Sequence, residues 1–362
     1  MDHDHIPAVI TRALEGVEAP SSAWAERAAE RQARLTMPPG SLGRLLDLGQ
    51  QLASIQRTDQ PHANPSLVAV FAADHGVAVH GVSAYPPAVT GQMIANYLAG
   101  GAAVNVLARN VGAALRVADL GAASLPSETA AHERLVRRPI GPGTRDLLQG
   151  PAMTRDEAYQ AVSVGLELAD AWYREQPYRV VALGEMGIGN TTTASILLAA
   201  LTGAAPDRVV GRGTGIDEAR LYHKREVVTQ ALVRHPRRSD DLWHTLSSLG
   251  GFEILGLAGF AIGAARKRAL VVLDGLISSV AGLVAARLSP LIRGSLVASH
   301  LGPEPGHRII LEELGLTPLL QLGLRLGEGT GATLALPLIA AAADILRDMA
   351  TFESAQVSGP IT

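Results

Sequence analysis

Residues 180–201, VVALGEMGIGNTTTASILLAAL, constrain the fold more than any other stretch of this chain. The first residues are apolar and β-branched, the composition of a buried strand. Residues 184–190 carry three glycines, which let the backbone take positive φ and approach a ligand closely. Residues 191–201 then read as a helix. Asn190 or Thr191 can cap its first turn, leaving other amide N–H groups free to point at an anion. Strand, glycine turn and helix start, in that order, form the βα unit of an α/β fold and a cradle for phosphate. A tight βα turn with a solvated Glu is the alternative.

The spacing of Gly184 and Gly189 also opens like a P-loop, but Asn190 and Thr191 stand where that motif needs Lys and then Ser or Thr. An NTPase reading therefore lacks its phosphate-bridging cation. Glu185 lies inside the expected turn, where a carboxylate repels phosphate unless it faces another part of the ligand. The implied ligand has one anionic end and one hydrogen-bond-donating end.

Charge narrows the ligand class further. The 362 residues include 31 basic and 34 acidic side chains, net −3, with no long run of either sign, so no nucleic-acid or membrane surface is expected and small polar metabolites are. There is no cysteine, which excludes disulfides, thiolate metal sites and cysteine nucleophiles and fits a cytoplasmic enzyme. The apolar runs at 254–265, 275–286 and 332–343 each stop after about a dozen residues, short of the ~18–20 that a membrane span needs, and read as buried helices.

Along the chain, residues 1–35 show helical spacing, with Pro20 and Ser21 opening a second helix near Ser22. His3 and His5 sit at a frayed end and are not read as a metal site. Residues 37–44, MPPGSLGR, turn the chain into a helix beginning near Leu45; Arg44 either meets substrate or pairs with an acid. Residues 67–73 form a strand that ends at Asp74 and His75. Ligands in open α/β sheets bind outside the carboxyl ends of strands, so Ser83, Tyr85 and Gln92 in the following segment are ligand-facing candidates. Asp74 and His75 are either an acid–base pair or a step that stabilises its own turn. A further strand spans 114–120, and Thr154 with Glu157 makes a capping box for the helix before the central strand.

Residues 209–217, VVGRGTGID, again run from apolar residues into glycines, and Lys224 lies about two turns into the next helix. There it either reaches back to a phosphate or is solvated. The strand at 269–273 ends at Asp274, a strand-end acid of the kind found at phosphoribosyl pyrophosphate sites, although those usually carry paired acids. Residues 327–331, GEGTG, open a last helix and form the second glycine turn with a Glu inside it. One of the two carboxylates, Glu185 or Glu328, can position a heteroaromatic N–H while the other removes its proton. HExxH, GxSxG and GxGxxG are all missing, so zinc-protease, serine-hydrolase and ordinary dinucleotide-binding readings lack their residues.

Eight segments in order carry a family resemblance: PPGSLGRL from Pro38, ADHGVAVHGVSAYP from Ala73, GEMGIGNTT from Gly184, GRGTGID from Gly211, GGFEI from Gly250, EPGHR from Glu304, LGLRLGEGTGA from Leu322 and MATFESAQV from Met349. Over about residues 35–357 the chain resembles the nicotinate-nucleotide:dimethylbenzimidazole phosphoribosyltransferases. The resemblance implies a Rossmann-like three-layer α/β domain with a parallel sheet at 46–331, a small helical domain from 1–45 and 332–362, and a homodimer. It implies transfer of phosphoribose from nicotinate mononucleotide to 5,6-dimethylbenzimidazole, giving α-ribazole 5′-phosphate and nicotinate, with no cofactor and no metal.

By motif position, Glu328 is implied as the general base. Glu185, Ser83, Gln92 and Met186 are implied as acceptor contacts. Gly187, Gly189, Asn190, Gly213, Thr214, Gly215, Lys224 and Gly327 are implied as the nucleotide and phosphate site. Five positions depart from the family pattern: Met37 replaces a usual Lys, Leu46 and His80 usual acids, Gly302 a Ser and Gln321 an Asp. Met37 and Gly302 bear on phosphate or ribose contacts, and His80, with Tyr85, on acceptor choice. The alternatives are another acceptor such as adenine or a phenol, a Mg²⁺-dependent phosphoribosyl pyrophosphate enzyme, and a nucleotide sensor that releases no nicotinate.

Overall fold

The apolar runs expected as strands become the centre of one parallel sheet in the computed structural model, which describes residues 6–213, 215–238 and 240–358. The strands are β1 (Ser66–Ala73), β2 (Ala114–Gly121), β3 (Leu135–Arg137), β4 (Val180–Met186), β5 (Leu270–Leu273) and β6 (Leu296–Ala298). Their order is β3-β2-β1-β4-β5-β6, every pair parallel. This is the doubly wound, Rossmann-like arrangement, and the strand order reverses between β1 and β4. A crevice therefore opens outside the carboxyl ends of those two strands, where Phe71 is in register with Glu185 and Ala72 with Met186.

Helices α1 (Ala8–Glu15), α2 (Ser22–Gln32) and α3 (Arg44–Gln56) precede the sheet. Helices α4 (Val89–Ala99) and α5 (Ala103–Val111) connect β1 to β2, α6 (Ser127–Ala130) follows β2, and α7 (Arg155–Glu175) leads into β4. Between β4 and β5 run α8 (Asn190–Thr202), α9 (Pro206–Val209), α10 (Glu218–Arg234), α11 (Leu242–Leu249) and α12 (Phe252–Arg266). Helix α13 (Leu276–Leu288) leads to β6, and α14 (Pro305–Leu314) and α15 (Thr330–Asp348) follow.

Alternation along the strands divides the core. Leu67, Ala69, Phe71, Val181, Leu183, Val271 and Leu273 face α7, α8, α12 and α13, whereas Val68, Val70, Ala72, Val180, Ala182 and Val272 face α3, α4, α5 and α15. Burial of both faces explains why these strands read as continuous apolar runs instead of alternating ones. Helices α7 and α12 cross closely through glycine: a Cβ on Gly165 would lie 1.9 Å from the Gly256 carbonyl, and one on Gly259 2.1 Å from that of Val162.

The expected capping box forms, with the Glu157 N–H donating to Thr154 Oγ1 at 3.1 Å and the Thr154 N–H to Glu157 Oε2 at 2.6 Å. Strands β3 and β6, three residues each, were not expected; so short a run has too few residues to show a period. The two chain ends meet where Leu35 bridges to Thr351 and the Arg31 guanidinium donates to the carbonyls of Leu346, Arg347 and Met349. His3 and His5 lie outside the described residues.

Candidate active site

The two glycine turns that each carry a Glu converge at the end of β4. Their main chains touch: a Cβ on Gly184 would lie 2.4 Å from the Glu328 carbonyl oxygen, and one on Gly329 3.1 Å from Gly184 Cα. Gly327, at φ +87°, approaches so closely that its Cβ would stand 2.6 Å from Glu185 Oε1. Glu328 itself takes φ 64°, a left-handed conformation that costs a non-glycine residue about 1 kcal/mol or more and concentrates at functional sites.

Glu185 corrects one expectation. It is part of β4 and not of the turn, which starts only at Gly187. The side chain is buried; Asn190 Nδ2 donates to its Oε2, and the main-chain N–H of Glu328 donates to the same carboxylate. Burial, joined by the charges of Asp274 and Glu253, pushes Glu185 up to about 8, above what these hydrogen bonds offset. Asn190 and Thr191 are accordingly not the caps of α8. Gly189 holds that position at φ 96° with no side-chain cap, and Asn190, the first helical residue, donates its amide to Glu185.

Glu328 is buried in a different way. Burial raises its carboxyl too, but the Tyr97 phenol and the main-chain N–H of Val104, in the first turn of α5, act in the opposite sense. Its Oε2 has no hydrogen-bond partner among the described residues. Burial thus raises both carboxyls: at Glu185 the charges of Asp274 and Glu253 add to that rise, whereas at Glu328 the phenol and the Val104 amide work against it.

Asp274, at the end of β5, holds the second turn in place. Its Oδ2 accepts from the Gly329 N–H at 3.1 Å and its Oδ1 from the Ala332 N–H at 2.9 Å. It is buried completely and raised to about 7 by that burial, against backbone hydrogen bonds from Ala332, Gly329, Gly331 and Gly275. His300 stands beside it, Nδ1 3.8 Å from Oδ1, and leaves no room for a side chain at Gly331, whose Cβ would lie 2.2 Å from that nitrogen.

On the other side of β4, Lys224 is buried and not solvated. Its Nζ donates to Thr191 Oγ1 at 3.0 Å, next to the first turn of α8, and burial pushes it down to about 8, partly offset by Glu304. Gly213 closes on the same spot: its Cβ would sit 2.8 Å from Thr191 Oγ1 and 3.2 Å from Lys224 Nζ. The Gly213 N–H donates to Glu304 Oε1 at 2.8 Å. Gly215 follows at φ +95°, with Arg325 Nη1 3.6 Å from where its Cβ would be, and Thr214 lies outside the described residues. Gly187 packs against β1, its Cβ position only 2.2 Å from the Ala73 carbonyl.

The segment after β1 is joined to this pocket by Thr90, whose hydroxyl donates to Asp74 Oδ1 at 2.6 Å and accepts the Ile188 N–H at 3.1 Å. That bond brings the first turn of α4, with Gln92 exposed upon it, beside the β4 turn. Ser83 Oγ accepts the Tyr85 N–H at 3.2 Å, Tyr85 is exposed, and Met186 packs partly buried against the α4–α15 side of the core.

Asp74 and His75 are not an acid–base pair. Asp74 accepts from Thr90 and from the Ala123 N–H at 2.8 Å, while His75 is buried between Glu253 Oε1 (Nε2, 2.8 Å) and Thr193 Oγ1 (Nδ1, 2.9 Å). Both brace the strand end. Arg44 pairs with Asp47 at 3.0 Å on an exposed helix turn. Among the described residues, no three His, Asp or Glu side chains come together to hold a metal ion.

The departures at Met37 and Leu46 share one apolar cluster with Leu35, Ile345 and Met349, so both are packing residues joining the chain ends. His80 Nε2 lies 3.0 Å from both oxygens of Asp146, and its carbonyl accepts from His223 Nε2 at 2.8 Å. The Gly302 N–H donates to His307 Nδ1 at 3.0 Å, and Gln321 is exposed. Sequence reasoning missed Tyr97 and the clamping role of Asp274. The first carries no motif, and the second depends on amides far along the chain.

Known proteins share this architecture. A family model described as "Phosphoribosyltransferase" matches residues 17–357. The nicotinate-nucleotide–dimethylbenzimidazole phosphoribosyltransferase of Desulforamulus reducens is 48% identical, over 97% of this chain and 99% of that protein. Its namesake from Chloroflexus aggregans is 49% identical, over 92% and 94% respectively. The crystal structure of the enzyme of that name from Thermus thermophilus superposes with a TM-score of 0.88 at 43% identity, covering 94% of this chain and all of that one.

Proposed function

The chain belongs to the nicotinate-nucleotide–dimethylbenzimidazole phosphoribosyltransferase family, and from that premise we propose how its residues perform the transfer. The donor is nicotinate mononucleotide and the acceptor 5,6-dimethylbenzimidazole; the products are α-ribazole 5′-phosphate and nicotinate. A benzimidazole nitrogen forms a bond to C1′ as the bond from C1′ to the pyridinium nitrogen breaks. The attack comes from the opposite face, so the β configuration becomes α in one displacement. The leaving ring takes the bonding pair and departs as nicotinate with a neutral ring nitrogen, so the step needs neither a general acid nor an electrophile on the leaving group.

The attacking ring becomes acidic at its other N–H, and Glu328 accepts that proton. The observation that carries this reading is the pairing of Glu328, with an unpartnered Oε2, and a Glu185 that burial keeps neutral in the same pocket. Glu185, Ser83, Gln92 and Met186 bind the acceptor. The α8 N-terminus with Gly187, Gly189 and Asn190, together with Gly213, Gly215, Gly327 and buried Lys224, binds the nucleotide, a cation beside a helix start being suited to phosphate.

The division into a smaller helical unit from 1–45 and 332–362 and an α/β unit from 46–331 draws support from the Leu35–Thr351 bridge and the Arg31 bonds, while Ile10 and Ala13 of α1 and the first half of α15 pack into the α/β core. The enzyme acts as a cytoplasmic homodimer, which light scattering and fractionation check. Helix α15 has the length and composition to cross a membrane, yet it lays Ala332, Ala335, Leu336 and Ile339 on the sheet.

The decisive assay is chromatographic release of nicotinate from nicotinate mononucleotide, with and without dimethylbenzimidazole, in EDTA. Acceptor-dependent release in the chelator supports this mechanism. A requirement for Mg²⁺ and phosphoribosyl pyrophosphate, or nucleotide binding without release, overturns it.

A further inference from the structure

A buried phenol lies beside Glu328 without completing a hydrogen bond of normal geometry to it. Tyr97, near the end of α4, is buried, and its hydroxyl has no hydrogen-bond partner among the described residues, which is equally true of Glu328 Oε2. The backbone around it is fixed: the Tyr97 carbonyl accepts from Asn105 Nδ2 at 2.9 Å and from the Gly100 N–H at 3.2 Å. Asn105 Oδ1 in turn takes the Ala102 N–H at 3.1 Å, and the Val104 N–H of the same turn acts on Glu328. A buried hydroxyl with no partner is costly, so its retention calls for a use.

The groups acting on the Glu328 carboxyl are the Val104 amide on α5 and Tyr97 on α4; Glu185 on β4 takes the main-chain N–H of Glu328, and Asp274 after β5, with His300 beside it, holds the neighbouring Gly329 and Ala332 amides. Of these, Tyr97 is the side chain that acts to favour the ionised form of Glu328. Burial first, then the charges of Glu328 and Glu185, lift the phenol well above its usual range, so it remains a donor at every working pH.

We propose that Tyr97 is a positioning residue for Glu328: in the loaded site its O–H donates to the Glu328 carboxylate and fixes the rotamer that takes the acceptor's N–H proton. Tyr97 keeps its own proton throughout; one proton moves, from the benzimidazole nitrogen to Glu328. The inference rests on Glu328 being the general base.

The test is the pH dependence of kcat/KM for dimethylbenzimidazole. Tyr97→Phe removes a donor to Glu328, so the acid limb of the profile moves to higher pH. At neutral pH the rate falls about tenfold, the size of a lost hydrogen bond to a charged group, and it recovers at alkaline pH while the KM for nicotinate mononucleotide stays within about twofold. Replacement of Tyr97 by 2,3-difluorotyrosine, a stronger donor of the same shape, moves the limb the other way and keeps the inference testable if the Phe variant folds poorly. An acid limb that neither replacement shifts overturns it, whatever happens to the rate. Glu328→Gln separates the two readings. If it retains the rate and the limb, the general-base assignment fails; if it loses both while Tyr97 variants leave the limb unmoved, only the role of Tyr97 fails.

Discussion

The main-chain N–H of Glu328 donates to the carboxylate of Glu185, so the proposed general base and the proposed acceptor contact are parts of one hydrogen-bonded unit. Neither turn can shift without moving the other, since Gly184 and Gly329 lie in direct contact beneath that bond. The separate strand ends of a doubly wound sheet thereby supply one rigid site, as catalysis by positioned groups requires.

Loss of the base should be felt in turnover. Glu328→Gln keeps the shape and the main-chain bond to Glu185 but cannot accept a proton. General-base catalysis commonly contributes ~10²–10⁴-fold, and kcat should fall by that order. Calorimetric titration should find nicotinate mononucleotide binding nearly unchanged. A near-normal kcat would remove Glu328 from this role.

Glu185 makes stability depend on pH in a direction opposite to the usual salt-bridged acid. The folded protein holds a proton up to about 8, whereas the unfolded chain releases it near 4.5. Between those values the unfolded state carries fewer protons, so stability declines as pH rises from about 4.5 to about 8. Asp274, raised to about 7, adds to the decline. Denaturant titrations of the ligand-free protein across this range should show the slope, and Glu185→Gln should flatten part of it. An unchanged slope would mean that Glu185 is ionised in the fold.

Lys224 should act on the nucleotide alone. Lys224→Ala removes the buried cation beside the α8 N-terminus, so steady-state kinetics should show a KM for nicotinate mononucleotide raised at least tenfold, with little change for the acceptor. Since burial lowers the amine to about 8, nucleotide affinity of the wild type should also weaken as pH rises past that value. Equal effects on both substrates would argue against a phosphate role.

How much of this was legible in the sequence depends on how local its causes are. The strands expected at 67–73 and 114–120, the start of the strand at 180 and the Thr154–Glu157 box follow from neighbouring residues and form within a residue of their expected bounds, whereas the first glycine turn starts at Gly187 and not at Gly184. The family motifs add the architecture. The burial of Lys224, the clamp of Asp274 on Gly329 and Ala332, and the orphan hydroxyl of Tyr97 are set by residues distant in sequence, and no spacing rule announces them. Asn190 shows the opposite failure. Its side chain fits a local cap, but a buried carboxyl next to it is the more demanding partner and takes the amide.

The contact between the two turns can be tested apart from the charges they carry. A methyl at Gly184 would meet the Glu328 carbonyl at 2.4 Å, backbone against backbone, so Gly184→Ala must push the 327–329 turn away from β4. Displacement of a reacting group by about 1 Å can cost on the order of 10² in rate. Gly165→Ala is the matched control, since its methyl would meet the Gly256 carbonyl at 1.9 Å where α7 crosses α12, within the opposite layer of the core. Overpacking should destabilise both variants by about 1–3 kcal/mol. At a temperature where both remain folded, Gly165→Ala should turn over at close to the wild-type rate and Gly184→Ala at a hundredth of it or less. If the two lose activity only in proportion to their loss of melting temperature, the close approach at Gly184 serves packing and not the placement of Glu328.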